Sequence, residues 1–217
     1  MGVTDSRAWS NADPPARAVL QRPGFLTSDD RSALITAFLE TASRPPQAPA
    51  YRGPVRVMAH RRELDGRFLV REAAPEAAQI LTLARVNAVD AVRQFYRVEG
   101  RLAVEFTLLT EMGPGDQHPL HADNERQQAD GSWVPNHTPF RDYVALLYLN
   151  TSGVNFEGGV LRFPALHRDI VPGAGELVGF TCGREHKHEV TPLIRGYRYS
   201  VSIWMTANPL FAEVWES

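Results

Sequence analysis

Cysteine is almost missing from this sequence, since Cys182 is the single cysteine among 217 residues. One cysteine excludes an internal disulfide and a zinc site built from several thiolates. Such scarcity is typical of a reducing compartment, so we expect a cytoplasmic protein. No apolar run approaches the roughly 18 residues that a membrane-spanning helix requires, and we expect no membrane partner.

A concentration of positive charge is also missing. The 23 lysines and arginines are balanced by 25 aspartates and glutamates, which gives a formal net charge of −2. Without a basic run, the sequence lacks the electrostatic footprint of a nucleic-acid-binding protein, and we expect no such partner. The apolar content of 43% is ordinary for a soluble globular protein and allows a sizeable core. None of these features indicates an oligomeric state.

The chain is predicted to form one domain behind a short leader. Residues 1–22 are rich in Pro, Ala, Ser and Asn and lack the apolar core of a signal peptide, so a disordered leader is predicted. The domain is predicted to span residues 23–217. Its helical support is expected over about 23–100 and its β-rich core over about 101–208.

The first predicted helix lies in PGFLTSDDRSALITAFLETA, residues 23–42. Ser28 is predicted to cap it, and Asp29 and Asp30 suit its first turn, because the helix dipole favours negative charge there. Its predicted buried stripe consists of Leu34, Ile35, Phe38 and Leu39.

A longer helix is predicted from Pro75 to Tyr96, with apolar residues at helical spacing and a proline suited to its first turn. Between the two helices, short strands are predicted at Val55–Met58 and Arg67–Val70. The predicted buried stripe of the longer helix consists of Ile80, Ala84, Ala88, Ala91 and Phe95.

Beyond Gly100 the hydrophobic period changes from helical to alternating. LAVEFTLLTEM alternates, which predicts a strand with one face formed by Leu102, Val104, Phe106 and Leu108. Further short strands are predicted in DYVALLYLN, GVLRF, ELVGF and YRYSVSIWM. Many short strands after leading helices predict a mostly β fold with flanking helices (α+β), whose core is a jelly roll with helices outside.

The last predicted strand carries a polar face. Side chains alternate along a strand, so the even-numbered residues share one side and the apolar odd-numbered residues face the body of the domain. An arginine fork among hydroxyls and an indole would bind a carboxylate well. The alternative is that this polar face meets solvent. The polar set consists of Arg198, Ser200, Ser202 and Trp204, and the apolar set of Tyr197, Tyr199, Val201 and Ile203.

His121 and Asp123 place an imidazole and a carboxylate on one face of an extended segment. With one distant histidine they would complete two histidines and one carboxylate, the facial ligand set of non-haem Fe(II). A His-x-Asp sequence alone also occurs in surface loops. The candidates for the distant histidine are His186 and His188, which have the same strand parity.

Four blocks of the sequence resemble the Fe(II)/2-oxoglutarate dioxygenases of the prolyl hydroxylase type, and among them the catalytic domain of prolyl 3-hydroxylases. The resemblance covers roughly residues 102–208. It implies a double-stranded β-helix core, like that of the cupins, with the N-terminal helices bracing one sheet. The blocks are HPLHADN (118–124), FRDYVALLYLN (140–150), FEGGVLRF (156–163) and VGFTCGREHKHEVTPLIRGYRYSVSIWMT (178–206).

The resemblance implies roles for seven residues. The iron ligands would be His121, Asp123 and His188, the last of which begins the His-x-Val-x-Pro pattern of the family. The distal carboxylate of 2-oxoglutarate would be bound by Arg198, Ser200 and Tyr148, with Trp204 near the cosubstrate. For Tyr148 and Trp204, plain core packing is the alternative.

Four further residues are predicted, on weaker grounds, to lie around the substrate or behind the ligands. Asn124 is next to a ligand, and His186 competes with His188 for iron. Arg141 precedes a strand that faces the site in the family, but a solvated side chain is the preferred interpretation for this residue. Residues 125–140 are predicted to form either a lid, with Trp133 contacting substrate, or a disordered insert.

The function expected from the resemblance is hydroxylation of an unactivated C–H bond, with conversion of 2-oxoglutarate to succinate and CO2. The cofactors would be Fe(II), 2-oxoglutarate and O2, with ascorbate as a stimulant. The expected substrate is a prolyl residue of a peptide or protein, or a small proline-like molecule. One alternative is the same chemistry on another amino acid or natural product. The other is a barrel that binds metal or carboxylate without turnover.

Overall fold

The computed structural model of the chain describes residues 18–42, 55–72 and 75–214. Within these ranges the chain forms three α-helices, α1 (Ser28–Ala42), α2 (Gly66–Glu72) and α3 (Pro75–Tyr96). The same ranges contain fifteen strands: β1 (Leu20–Arg22), β2 (Val55–Met58), β3 (Arg61–Asp65), β4 (Ala103–Met112), β5 (His118–His121), β6 (Glu125–Gln127), β7 (Trp133–Pro135), β8 (Tyr143–Tyr148), β9 (Phe156–Gly158), β10 (Leu161–Phe163), β11 (Arg168–Ile170), β12 (Leu177–Thr181), β13 (His188–Val190), β14 (Leu193–Gly196) and β15 (Arg198–Thr206). None of the described helices is long and apolar enough to cross a membrane.

Two antiparallel sheets form the body of the molecule. The larger sheet has the order β1-β12-β8-β15-β4-β3-β2, and the smaller sheet has the order β11-β10-β13-β5. The helices pack on one face of the larger sheet, and the smaller sheet covers the other face. This two-layered jelly roll with helices outside one sheet confirms the predicted fold class.

Helix α1 forms where it was predicted but has a different cap. Thr27 Oγ1 accepts a hydrogen bond from the Asp30 N–H at 3.1 Å, and the Asp30 carboxylate accepts one from the Thr27 N–H at 3.0 Å. This reciprocal pair is a capping box, and it makes Thr27 the N-cap instead of Ser28. The buried side of α1 is formed by Leu34, Ala37, Phe38, Thr41 and Ala42, with Ile35 and Leu39 at its border.

The strand predicted at Arg67–Val70 is wrong, because these residues lie in α2. The Asp65 carboxylate accepts a hydrogen bond from the Arg67 N–H at 2.8 Å, which caps the new helix. Gly66 permits the turn, since a Cβ at this position would lie 2.9 Å from the Thr107 side chain. The strand instead occupies β3, just before the turn.

Helix α3 has the bounds that were predicted, and its alanine stripe is buried. Ile80 and Phe95, at the ends of the predicted stripe, only border the core. The buried Arg85 is part of this helix and forms an ion pair with Glu213. An arginine therefore occupies a core position that hydrophobic periodicity does not anticipate.

Strand β4 does not keep one apolar face along its length. Its pairing with β15 shifts between Trp204 and Met205, so the strand alternation is interrupted opposite Glu105. Val104 therefore packs in the helix-side core, whereas Leu108 faces the space between the sheets. The prediction of one continuous face from Leu102 to Leu108 is wrong for this reason.

The ordered body begins earlier than predicted. Leu20–Arg22 pair with β12 as an edge strand of the larger sheet, so the predicted boundary of the leader at residue 22 is too late. Residues 1–17 of the leader lie outside the described residues. In β15 the predicted alternation is confirmed, except that Tyr197, just before the strand, is 52% exposed.

Candidate metal and cosubstrate site

Strand pairing in the smaller sheet brings two histidines together. The last residue of β5, His121, lies directly opposite the first residue of β13, His188, and their ring centroids are 4.4 Å apart. Asp123 follows β5, where its N–H donates to the Cys182 carbonyl at 2.9 Å. One side-chain ligand atom from each of these three residues lies within 4.8 Å of the other two.

Backbone carbonyls orient both imidazoles. Nδ1 of His121 lies 2.7 Å from the Pro119 carbonyl, and Nδ1 of His188 lies 3.0 Å from the His186 carbonyl. An Nδ1–H that donates to a carbonyl fixes the ring and leaves Nε2 as the ligand atom, an arrangement typical of metal-binding histidines. Together with a carboxylate, the donor set fits non-haem Fe(II).

The carboxylate couples electrostatically to both rings. Asp123 Oδ1 lies 3.6 Å from His121 Nε2, a gap that suits two ligands of one ion. Burial raises the pKa of Asp123, but the nearby imidazoles of His121 and His188 lower it overall. Burial lowers the pKa of His188 to about 4, which keeps this imidazole neutral. A carboxylate anion and a neutral imidazole are the protonation states that bind metal.

The larger sheet supplies the opposite wall of the same cavity. Arg198, Ser200, Ser202 and Trp204 line a volume of about 90 Å³ together with the three candidate ligands. Across the sheet, Ser200 is paired with Tyr148 on one side and Thr110 on the other. The structure therefore brings the predicted metal ligands and the predicted carboxylate site into one space.

Arg198 is held in this wall by its neighbours. Its side chain is nearly inaccessible, and Nη1 donates to Ser200 Oγ at 3.2 Å. Its guanidinium lies 5.1 Å from the centre of the Tyr148 ring. Ser200 thus contacts the arginine directly, which orients the guanidinium.

Three buried polar side-chain atoms of β8 and β15 have no hydrogen-bond partner among the described residues: Arg198 Nε, Tyr148 Oη and Trp204 Nε1. Buried donors are normally paired, so the lack of partners here indicates a binding site for a group that accepts hydrogen bonds. Burial raises the pKa of Tyr148, which keeps its hydroxyl protonated as a donor. The Arg198 guanidinium and the adjacent Tyr148 hydroxyl together suit one carboxylate group.

Two glycines let the backbone pass close to the arginine. Gly158 and Gly159 have φ angles of 81° and 63°. A Cβ on Gly158 would lie 2.1 Å from the Pro192 carbonyl oxygen, and one on Gly159 would lie 3.0 Å from Arg198 Cδ. The pair therefore allows the backbone of this turn to approach Arg198 closely.

His186 does not join the metal cluster. It lies in a 3-10 turn, is fully buried, and its Nδ1 is 2.7 Å from Thr181 Oγ1. Its ring packs near Phe163 and Phe180. His186 supports the site through its carbonyl, which holds the ring of His188.

Asn124 and Arg141 both lie behind the cavity. The Asn124 side chain donates to the Arg141 carbonyl at 2.8 Å. The Arg141 guanidinium stacks on Trp204, 4.2 Å from the ring centre, and pairs with Glu105 at 2.8 Å. Arg141 is therefore a packed residue, and the interpretation of a solvated side chain is wrong.

Residues 125–140 contain an ordered hairpin, formed by β6 and β7, so the alternative of a disordered insert is wrong. Trp133 is half-buried and contacts Lys187, whose Nζ lies 5.5 Å from the ring centre. Trp133 is not among the residues that line the cavity.

The cavity has further lining residues that sequence reasoning missed. They include Arg61 and Glu63 of β3 and His118 of β5. The parity of β5 predicts no shared face for His118 and His121, but their rings lie next to each other, tilted by 33°, with centroids 4.5 Å apart. The sequence of β3 shows no alternation of apolar and polar residues, because four of its five residues are charged. Burial lowers the pKa of His118 to about 4.

Comparison with known proteins agrees with this geometry. Residues 107–206 match the family model of the 2OG-Fe(II) oxygenase superfamily. Prolyl 3-hydroxylase 2 of Rattus norvegicus is 38% identical over 105 residues, which cover 45% of this chain and 14% of the rat protein. The matched segment is thus about one seventh of that relative's length.

Solved structures show the same fold. A viral collagen prolyl hydroxylase from Paramecium Bursaria Chlorella virus-1 has a TM-score of 0.63 at 16% identity, over 88% of this chain and 96% of the viral chain. A prolyl-4-hydroxylase of Pseudomonas putida has a TM-score of 0.59 at 24% identity, over 88% of this chain and 92% of the other. At these identities the likeness concerns the fold alone.

Proposed function

We propose that the chain is an Fe(II)- and 2-oxoglutarate-dependent dioxygenase, because residues 107–206 match the family model of the 2OG-Fe(II) oxygenase superfamily. The proposed reaction hydroxylates an unactivated C–H bond of a prolyl residue or a proline-like molecule. The observation that carries this proposal is the single cavity that joins the His-Asp-His cluster to Arg198.

The residues of the chain hold and orient the reactants. His121, Asp123 and His188 would bind Fe(II) and leave part of its coordination sphere open for cosubstrate. Arg198 would bind the distal carboxylate of 2-oxoglutarate through its guanidinium, with the Tyr148 hydroxyl as a further donor. When bound, Fe(II), 2-oxoglutarate and O2 supply the oxidation that forms succinate and CO2 and adds one oxygen atom to substrate.

Exclusion of water is the second contribution of the fold. Leu146, Leu161 and Val190 line the cavity between the two sheets, beside the metal ligands. Apolar walls keep solvent from competing for an open metal position and from quenching the oxidation. The polar groups of the cavity are thereby reserved for reactants.

The test is anaerobic reconstitution of the purified chain with Fe(II) and 2-oxoglutarate, followed by exposure to O2 with candidate substrates. Succinate is quantified, and mass spectrometry detects the gain of one oxygen atom by the substrate. Free proline and proline-containing peptides are tested first. A chain that binds 2-oxoglutarate but forms no succinate with O2 would instead support binding without turnover.

Arg198→Ala is the matching variant, and Arg195→Ala is its control. Loss of two hydrogen bonds to a charged group is expected to weaken 2-oxoglutarate binding at least about a hundredfold. Arg195 is exposed and paired with Glu157 on the surface, so its removal is expected to leave affinity unchanged. Equal affinities in the two variants would contradict the assignment of Arg198.

The proposal has two further parts, which concern ascorbate and the location of the protein. Ascorbate is proposed to stimulate turnover by keeping iron reduced, which an assay with and without ascorbate measures. A cytoplasmic location is proposed because a buried free thiol at Cys182 suits a reducing compartment. Fractionation of the producing cells, with detection by antibody, tests this location.

A further inference from the structure

Glu63 is a buried carboxylate with unused capacity to accept hydrogen bonds. It is 7% exposed and lines the cavity from β3, two strands away from Arg198's strand β15. Its nearest charged donors are Arg56 Nη1 at 3.3 Å and Arg61 Nη1 at 3.7 Å. Both distances exceed the roughly 2.7–2.9 Å of a charge-assisted hydrogen bond.

Both arginines form only long ion pairs with Glu63. The Arg56 side chain is 67% exposed, so solvent screens its charge. Arg61 gives its close hydrogen bonds to Asp116, at 2.8 and 2.9 Å, and to the Gln117 carbonyl at 2.9 Å. A carboxylate that is buried at this level and weakly paired is costly unless a ligand completes its hydrogen bonding.

The position of Glu63 is suited to substrate. Across the sheet Glu63 is paired with Thr110, and Thr110 is paired with Ser200, which contacts Arg198. Two strand spacings separate Glu63 from Ser200, about 10 Å, so the carboxylate lies beyond the predicted cosubstrate contacts. His118, whose ring lies beside that of His121, lines the same cavity, and its Nδ1 has no partner among the described residues.

Glu63 is the carboxylate of the cavity lining that the reactants would leave without a close partner. The three positive charges of Fe(II) and Arg198 would be balanced by Asp123 and by the two carboxylates of 2-oxoglutarate. Arg61 lies closer to Asp116 than to Glu63, and the other cation at Glu63 is the exposed Arg56. A cationic group inside the cavity would therefore find in Glu63 a buried acceptor of opposite charge.

We propose that Glu63 binds a protonated amine of the substrate, so that the substrate is a free amino acid or related amine rather than an N-acylated residue within a peptide. This inference rests on the proposed function and specifies the substrate class of the same site. The ammonium donates to the Glu63 carboxylate, with Thr110 and His118 as polar neighbours. An N-acylated nitrogen has no positive charge and leaves the carboxylate without its partner.

The direct test compares free amino acids with their N-acetyl derivatives on the wild-type chain. L-proline and N-acetyl-L-proline are the first pair, followed by the corresponding pairs of other amino acids. Binding is measured by anaerobic calorimetry on protein loaded with Fe(II) and 2-oxoglutarate, and product is measured as the gain of one oxygen atom. At least one free amino acid is expected to bind about tenfold or more tightly than its acetylated form.

Glu63→Gln tests the residue, with Glu157→Gln as a matched control. Glu157 pairs with Arg195 at the surface, so its variant should preserve the preference for the free amine. Glu63→Gln should abolish the preference, and Glu63→Asp should retain part of it. Because the readout is a ratio of two affinities measured on the same sample, partial unfolding of a variant does not change its meaning.

The outcomes separate this inference from the proposed function. No binding of 2-oxoglutarate and no succinate would overturn both. Succinate formation with equal or tighter binding of the N-acetyl compounds, or with binding of neither series, would overturn the inference alone. A preference for free amines that Glu63→Gln preserves would also overturn it.

Discussion

His188 and His186 lie two residues apart and have different surroundings. Only His188 lies near His121 and Asp123, whereas His186 is buried among aromatic rings. We expect His188→Ala to abolish stoichiometric metal binding. We expect His186→Ala to retain binding but to lower the free energy of unfolding by about 1–3 kcal/mol.

Titration with Co(II), followed by visible absorption, measures binding in both variants, with urea unfolding as the stability measurement. The number of Co(II) ions bound per chain is calculated from the folded fraction of each sample. The assignment fails if His186→Ala loses the metal while His188→Ala keeps it.

For some residues the neighbouring sequence predicts the contacts in the structure, and for others it does not. The His-x-Asp spacing and the ten residues between His188 and Arg198 are local, and the structure brings these side chains together. The packing of Arg141 could not be predicted from its neighbours, because its side chain lies against Trp204 and pairs with Glu105, both distant in sequence.

At the scale of elements, the turn between β9 and β10 supports Arg198. We expect Gly159→Ala to weaken 2-oxoglutarate binding about tenfold or more and to cost about 1–3 kcal/mol in stability. The added methyl group would press on Arg198 Cδ and on Leu193 Cδ1, which would lie 2.6 Å from it.

Gly153→Ala is the control for backbone strain. Gly153 has a φ angle of 82°, and a Cβ there would have no neighbour within 4 Å. Its variant should lose about 1 kcal/mol from positive φ alone and keep its affinity for 2-oxoglutarate. Calorimetry on both variants decides this, and equal losses of affinity would contradict the role of Gly159.

The start of α1 provides a second test at this scale. Because Thr27 Oγ1 accepts from the Asp30 N–H, Thr27→Ala is expected to lower the free energy of unfolding by about 1 kcal/mol. Ser28 has no part in that capping pair, so Ser28→Ala should have a smaller effect. Chemical denaturation measures both, and a larger loss for Ser28→Ala would restore Ser28 as the cap.

At the scale of the whole molecule, the site lies between two sheets whose facing residues include a buried apolar cluster. The candidate metal ligands belong to the smaller sheet or follow its strand β5, and Arg198 belongs to the larger one. A metal and a dicarboxylate bound between them should therefore stabilise the native state against unfolding.

With each ligand at a hundred times its dissociation constant, linkage predicts about 2.7 kcal/mol of added stability per site. For a chain of this size, each kcal/mol corresponds to a rise in Tm of roughly 2–4 °C. Anaerobic thermal unfolding with Mn(II) and 2-oxoglutarate measures this rise, and a chelator should reverse it. A rise of equal size in His188→Ala would contradict a linkage through this cluster.

The sequence alone determined the features that depend on local patterns. Helical spacing specified α3 from Pro75 to Tyr96, and alternation specified which side of β15 carries Arg198. These features follow from backbone periodicity, which acts between residues a few positions apart.

The tertiary structure alone decided what shares the cavity with that strand. Register and a bulge in the pairing of β4 with β15 set which residues face inward, and the position of β3 at the far side of β4 brought in Arg61 and Glu63. Strand pairing joins residues that are distant along the chain, and a shift of one position turns every side chain to the other face. For that reason the residues proposed to bind the cosubstrate could be predicted from the sequence. The proposed amine site at Glu63 could be identified only from the fold.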